Sequence, residues 1–126
     1  MMPRDPRDLL PLKPLVFEIL LVLADADRHG RHLVREVEHR TGRAPLLPGN
    51  FYRLLKSLLA DGLIDDAEPS RAERLQAAAD TGANAERRRY FRLTTFGREV
   101  ARAEARRLAA LVDESRGKRL IAAKGR

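Results

Sequence analysis

Apolar residues recur along the first part of the chain in patterns that predict two helices. Residues 14–24 are apolar almost throughout, and they begin at Pro14, which suits the first turn of a helix because its missing N–H needs no partner there. Residues 30–40 carry a narrow apolar stripe formed by Leu33, Val34 and Val37, which is typical of an amphipathic helix. Gly42 follows at the position where glycine commonly ends a helix.

A third helix is predicted over residues 50–61, and its two faces differ. The apolar residues follow the i, i+3, i+4, i+7 spacing of a single helix face: Phe51, Leu54, Leu55 and Leu58. The other face presents polar and cationic side chains with no acidic residue before Asp61: Asn50, Arg53, Lys56 and Ser57, with Gly49 at the start and Tyr52 at the boundary. We expect the apolar face to turn inward and the polar face to remain exposed.

A hairpin and a last helix follow. Residues 63–68 and 88–93 are predicted to pair as antiparallel strands across a long loop, residues 69–86. Thr94 or Thr95 is a suitable N-cap for a helix that reaches about residue 115. The order of elements predicts a mainly α fold with a two-stranded wing, which is the layout of a winged helix-turn-helix domain.

The chain divides into four segments. We expect a flexible N-terminal arm (1–12), a winged helix-turn-helix domain (13–94), a C-terminal dimerisation helix (95–116) and a basic tail (117–126). The first helix is apolar nearly all round and the last has a stripe of small and branched residues, so we expect a second copy of the chain to cover both. The predicted dimer interface comprises Leu15, Val16, Ile19, Ala101, Ala105, Leu108, Leu111 and Val112.

Charge and composition narrow the function. The 126 residues have a net charge of +7, and residues 87–126 hold 13 of the 25 Lys and Arg but only 4 of the 18 Asp and Glu. This imbalance favours a polyanionic partner. No cysteine is present, which excludes disulfides and thiolate zinc sites. The longest apolar run, residues 15–24, is about half of the roughly 20 residues that cross a bilayer, so we expect no membrane span. The absence of cysteine fits a reducing cytoplasm, and with a polyanionic partner such as nucleic acid we expect a cytoplasmic, nucleoid-associated protein.

The polar face of the third helix has the chemistry to read DNA. A helix fits the major groove, where Arg, Lys and Asn reach donors and acceptors on base edges. A glycine at the start of that helix leaves its backbone N–H groups open to a phosphate, and arginines at the wing add charge for the adjacent DNA backbone or minor groove. The candidate DNA-binding residues are Gly49, Asn50, Arg53, Lys56, Ser57, Arg87, Arg88 and Arg89.

The chain also resembles the PadR-type transcriptional regulators. The resemblance is carried by residues 47–64 (LPGNFYRLLKSLLADGLI), by His29-Gly30, and by residues 88–94 together with Gly97. It implies that Tyr52 is a further DNA-facing residue and that the protein is a homodimer held by its first and last helices. It also implies a short form without a large effector domain, and leaves open whether a small-molecule effector binds.

Blander interpretations remain beside this one. Arg53 and Lys56 could simply solvate a helix face, Tyr52 could be a packing residue, and Arg87–Arg89 could screen Asp65, Asp66 and Glu68. Three histidines without a carboxylate cluster do not predict a metal site, and no catalytic constellation or cofactor motif is visible. We therefore expect a sequence-specific DNA-binding repressor that occupies a pseudo-palindromic operator on double-stranded DNA. A protein-interaction module and a non-specific nucleic-acid-binding protein are the alternatives.

Overall fold

The computed structural model describes residues 4–42, 48–67 and 90–123. In these ranges, a short 3-10 helix (Pro6–Leu9) precedes seven elements: α1 (Pro14–Asp25), β1 (Arg28–His29), α2 (Gly30–Thr41), α3 (Pro48–Ala60), β2 (Ile64–Ala67), β3 (Tyr90–Leu93) and α4 (Thr95–Gly117). The order of the helices and of the wing strands confirms the predicted winged helix-turn-helix fold. The predicted loop 69–86 lies outside the described residues.

The helices begin and end where local chemistry satisfies their terminal backbone groups. Pro14 occupies the first turn of α1. Gly42 closes α2 with φ 68°, a left-handed conformation that glycine adopts without steric cost, and its N–H donates to the Glu38 carbonyl oxygen. The Thr94 hydroxyl accepts a hydrogen bond of 2.8 Å from the Gly97 N–H and caps α4. The glycine stop and the threonine cap were both predictable from residue type.

Among the described residues, the sheet has three strands in the order β1-β3-β2, which are the two strands of the predicted wing and one further strand. Strands β2 and β3 form the expected antiparallel hairpin. The additional strand, β1, pairs Arg28 with Phe91 and His29 with Tyr90. Two residues are too few to show the alternation of a strand, and pairing with β3 determines their conformation. The sequence analysis placed no strand between the first two helices, so it missed β1.

The hydrophobic core is built around α1, which packs against α2, α4 and β3. Ile19 is 0% exposed, Val16 6% and Ala101 8%, all within the single chain. The prediction that these three residues form a dimer interface is therefore wrong, because their side chains have almost no surface left for a partner. The sequence argument assumed that one neighbouring face could not bury α1, whereas three elements of the same chain cover it.

The N-terminal segment also packs differently from the predicted flexible arm. Leu9, Leu10 and Leu12 lie against the core, and the Leu12 N–H donates a hydrogen bond of 2.7 Å to the buried Glu104 carboxylate. Arg107 forms an ion pair with the same carboxylate. The ion pair includes a hydrogen bond from Arg107 to the carboxylate, and this bond is the main reason that the pKa of Glu104 is lowered. Burial raises this pKa, and the hydrogen bond from the Leu12 N–H lowers it further. Within residues 4–12, the segment is thus attached to α4.

Gly97 allows the wing to approach the start of α4. A Cβ at this position would lie 1.9 Å from the Leu63 carbonyl oxygen and 2.8 Å from Leu93 Cδ1. Gly97 begins the stripe of small residues on the last helix that the sequence analysis expected a second copy of the chain to cover. In the structure, position 97 must be glycine for a different reason: the backbone that leads into β2 occupies the space that a side chain would need.

Candidate nucleic-acid interface

Helix α3 presents one continuous exposed row of polar and cationic residues. Asn50, Arg53, Lys56 and Ser57 are all exposed, as the sequence predicts. Behind them, Phe51 is 2% exposed and Leu55 1%, so the apolar face is held in the core. The sequence of α3 contains no Asp or Glu that could neutralise the row. The geometry is that of a helix fixed from behind with hydrogen-bonding groups directed outward.

The first turn of α3 is open at Gly49. This residue is exposed, and a Cβ built on it would come within 4 Å of no neighbouring atom of the residues that the structure describes. Its backbone is therefore accessible, as required of a helix start that receives a phosphate oxygen. The preceding residues, 43–47, lie outside the described ranges.

Tyr52 is placed differently from the exposed row. The residue is half-buried, and its hydroxyl oxygen is buried. The hydroxyl and Cε1 each lie 2.9 Å from the point where Gly30 would carry a Cβ, so the ring packs on the first turn of α2. The DNA-facing role that the family resemblance implies for Tyr52 does not match this inward orientation.

The wing contributes one described cation, Arg92, and it is already paired. Asp65 and Arg92 are opposite one another in the β2–β3 register, and Arg92 Nη2 lies 3.1 Å from Asp65 Oδ2. The Arg92 guanidinium, followed by the Asp66 N–H, lowers the pKa of the Asp65 carboxyl. The sequence analysis gave screening of these acidic residues as an alternative role for Arg87, Arg88 and Arg89, which lie outside the described residues. The cross-strand register would have revealed Arg92 as the partner.

Helix α2 exposes three arginines that the sequence analysis did not select, and one of them, Arg40, is paired with Glu18 at 2.8 Å from Nε to Oε2. Arg31 and Arg35 are exposed, and Arg31 directly follows Gly30, at the end of α2 that touches α3. The only indication in the sequence that these arginines are exposed was their position on the polar side of an amphipathic helix. It is a weak one, because most exposed arginines simply solvate a surface.

The residues predicted for the dimer interface separate into two groups. Val16, Ile19 and Ala101 are buried in the core described above. Leu15 and Leu108 are half-buried and Ala105 is exposed, while Leu111 is 48% and Val112 38% exposed. From residue 109 to residue 114, every position of α4 is exposed. The last turns of this helix therefore carry large apolar side chains in solvent.

The histidines at the start of α2 have a structural role. His29 Nδ1 accepts a hydrogen bond of 3.0 Å from the His32 N–H and so caps the helix. Across residues 4–42, 48–67 and 90–123, no group of three or more His, Asp or Glu is arranged to hold a metal ion. No helix in the same ranges combines the length and apolar character needed to cross a membrane.

The fold and the exposed α3 row together define a winged-helix protein. The family model described as "Transcriptional regulator PadR-like family" matches residues 19–103, and the chain belongs to that family. No curated protein sequence matches the chain.

Two solved structures are similar to the chain in fold. The complex structure of hsRosR-S4 is 21% identical with a TM-score of 0.58, and the match covers 90% of this chain and 98% of that one. The complex structure of hsRosR-S1 is 24% identical with a TM-score of 0.61, covering 93% of this chain and 89% of that one. These matches support the fold across almost the whole chain.

Proposed function

We propose that the protein is a homodimeric, sequence-specific DNA-binding regulator that represses transcription by occupying a pseudo-palindromic operator. The observation that carries the proposal is the acid-free row of Asn50, Arg53, Lys56 and Ser57 on the exposed face of α3. An exposed cationic helix face backed by buried leucines suits insertion into the major groove. Membership of a transcriptional-regulator family supports the same conclusion.

The residues of the row have separable tasks. Arg53 and Lys56 donate to guanine O6 and N7, and Asn50 pairs with the edge of an adenine. Ser57 and the open backbone at Gly49 contact phosphate oxygens, which fix the register of the helix without reading sequence. Arg87, Arg88 and Arg89, which precede β3, provide further phosphate contacts at the wing.

Dimerisation is proposed to use the projecting end of α4. Leu108, Leu111 and Val112 form its apolar side, with Ala105 one turn earlier and Leu15 on α1. The stripe has a small side chain at Ala105 and larger branched side chains from Leu108 onward. When two copies of α4 pack antiparallel, the small side chain of one copy lies against the branched side chains of the other. A two-fold dimer then presents two copies of α3 to half-sites about one helical turn apart.

Selection of bound duplexes from a random pool tests this function. The expected result is one enriched pseudo-palindrome, with affinity that falls steeply as salt displaces condensed counterions. Weak and equal binding to every duplex would show that the protein binds nucleic acid without sequence specificity. If deletion of residues 117–126 then abolished this binding, the basic tail would be responsible for it. Absence of duplex binding would favour the protein-interaction module.

Repression is tested separately from binding. A reporter gene whose promoter contains the selected duplex is introduced into a host cell. Expression of the wild-type protein in the cytoplasm of that cell should reduce the reporter output. Increased reporter output would instead make the protein an activator at the same site.

A further inference from the structure

The Tyr52 ring on α3 occupies the space where a side chain at Gly30 on α2 would begin, and the backbone conformation of Gly30 does not itself require glycine. Gly30 is the first residue of α2 and is buried. The described glycines with positive φ are Gly42 and Gly62, so the Gly30 backbone would accept an alanine. What excludes a methyl group is the Tyr52 ring, whose Cε1 and hydroxyl lie 2.9 Å and whose Cζ lies 3.3 Å from the ideal Cβ position.

The surface on which the ring rests is fixed on two sides. His29 caps α2 through its Nδ1 atom, and its backbone pairs with Tyr90 in the wing strand β3. The His29 and Tyr90 rings also meet edge to face, with centroids 5.5 Å apart. The first turn of α2 is thereby tied to the wing, and Tyr52 connects this turn to α3.

The Tyr52 side chain lies next to the exposed row of α3. It directly precedes Arg53 in sequence, and Lys56 is one helical turn further on, at the i+4 position that shares its side of the helix. Hydrogen bonds to base edges require donor–acceptor distances of about 2.7–3.2 Å, so they tolerate little displacement of these side chains. Attraction to phosphates falls off slowly with distance and tolerates much more.

The geometry points to Tyr52 as a positioning residue: its ring, seated on the bare Cα of Gly30, sets the angle of the recognition helix against α2 and the wing, and through that angle the sequence specificity of DNA binding. This inference rests on the proposed function. It assigns Tyr52 a task inside the protein, where its hydroxyl is buried, and it makes Gly30 a specificity-determining position that contacts no DNA.

The test is a double-mutant cycle with Gly30→Ala, Tyr52→Leu and the combined variant. The clash in Gly30→Ala involves the far end of a side chain, so the chain should fold and the ring should be displaced. Gly117→Ala is the matched control, because a Cβ at that helical glycine meets no atom within 4 Å. Circular dichroism and thermal unfolding establish that each variant is folded.

Two DNA probes are used: the duplex that the wild-type protein selects, and a scrambled duplex of the same composition. Gly30→Ala is expected to bind the selected duplex at least about tenfold more weakly and the scrambled duplex within about twofold of wild type, because only base contacts depend on the helix angle. Tyr52→Leu should weaken binding in the same selective way. The loss of affinity in the combined variant should be smaller than the product of the two single losses by more than about twofold. The reason is that the shorter leucine side chain makes room for the alanine methyl group.

Three results would overturn the inference: wild-type binding by Gly30→Ala, equal losses on both duplexes, or single effects that multiply without coupling. If the wild-type protein selects no duplex, the proposed function fails, and the inference is then decided by nuclear magnetic resonance of the free protein. Gly30→Ala should shift the backbone amides of residues 50–57, and the combined variant should restore them. Unshifted amides would overturn it.

Discussion

Helices α3 and α4 both expose one surface to solvent, but the two surfaces differ in chemistry. On α3, the exposed row is polar and cationic, and the leucines behind it are buried. On α4, residues 109–114 are all exposed, and Leu111 and Val112 are among them. The composition of each surface indicates the kind of partner it suits. The cationic row of α3 suits a polyanion, whose phosphates attract cations, and the apolar end of α4 suits another apolar protein surface.

The strongest test of this contrast removes the cations from α3. Arg53→Ala combined with Lys56→Ala should weaken binding to the selected duplex about 100-fold or more, because each good side chain–base pair contributes about 1–3 kcal/mol of discrimination. Fluorescence anisotropy titration against the selected and scrambled duplexes measures the effect.

The matched control also removes one arginine and one lysine, but away from α3: Arg98→Ala combined with Lys118→Ala. Both side chains are exposed on or just after α4. This variant should lose less than about threefold in affinity, through the general reduction in charge alone. Equal losses in the two variants would show that total charge, and not the α3 row, determines binding.

The second test places charge on the apolar end of α4. Leu111→Asp combined with Val112→Asp should convert a dimer to a monomer at about 10 μM protein, because a carboxylate is costly to bury in an apolar contact. Both residues are exposed in the single chain, so the monomer should remain folded. Analytical ultracentrifugation measures the mass.

Ala110→Asp is the control for this experiment, since residue 110 is exposed on the opposite side of α4 from Leu108 and Val112. It should leave the mass unchanged. A dimer that survives the double substitution would move the interface elsewhere, and a chain that is monomeric before substitution would remove the proposed dimer altogether.

The smallest expected effect concerns the buried half of α4. Glu104→Gln should lower the free energy of unfolding by about 1–3 kcal/mol at pH 7, because the Arg107 and Leu12 donors lose a charged acceptor. The folded-state pKa of Glu104 is lowered, so its contribution is complete above the unfolded pKa of about 4.3 and is lost as pH falls through the folded value. Urea unfolding of both proteins from pH 7 to pH 3 should therefore show the difference shrinking in acid.

Glu114→Gln provides the comparison, since Glu114 is exposed and pairs only with the exposed Lys118 among the described contacts. Its substitution should lower the free energy of unfolding at pH 7 much less than Glu104→Gln does, because an exposed ion pair contributes little. A constant difference between Glu104→Gln and wild type over the whole pH range would contradict the assignment to ionisation.

Local patterns predicted the parts of the fold that local chemistry determines. Apolar patterning identified the four α-helices of the described residues and the exposed row of α3, and residue type identified the glycine that ends α2 at Gly42. The same reasoning missed β1, because Arg28 and His29 become a strand only by pairing with β3. It also assigned Val16 and Ile19 to a dimer interface, since the number of elements that surround α1 is a tertiary property.

Tyr52 illustrates the same limit within the candidate site. Its place at the boundary of two helix faces could be read from the sequence, but the direction of its ring could not. That direction depends on the missing side chain of Gly30, which is 22 residues earlier in the chain and adjacent only after folding. The exposed row itself was predictable because its four members share one side of a single helix.

The junction at Gly97 also has an evolutionary consequence. The atom that a Cβ would strike is a backbone carbonyl oxygen, at 1.9 Å, so no change of rotamer can relieve the overlap. Every codon change that replaces this glycine, alanine included, should therefore be lost from a library selected for function, whereas substitutions at the exposed Arg98 and Glu99 should be retained.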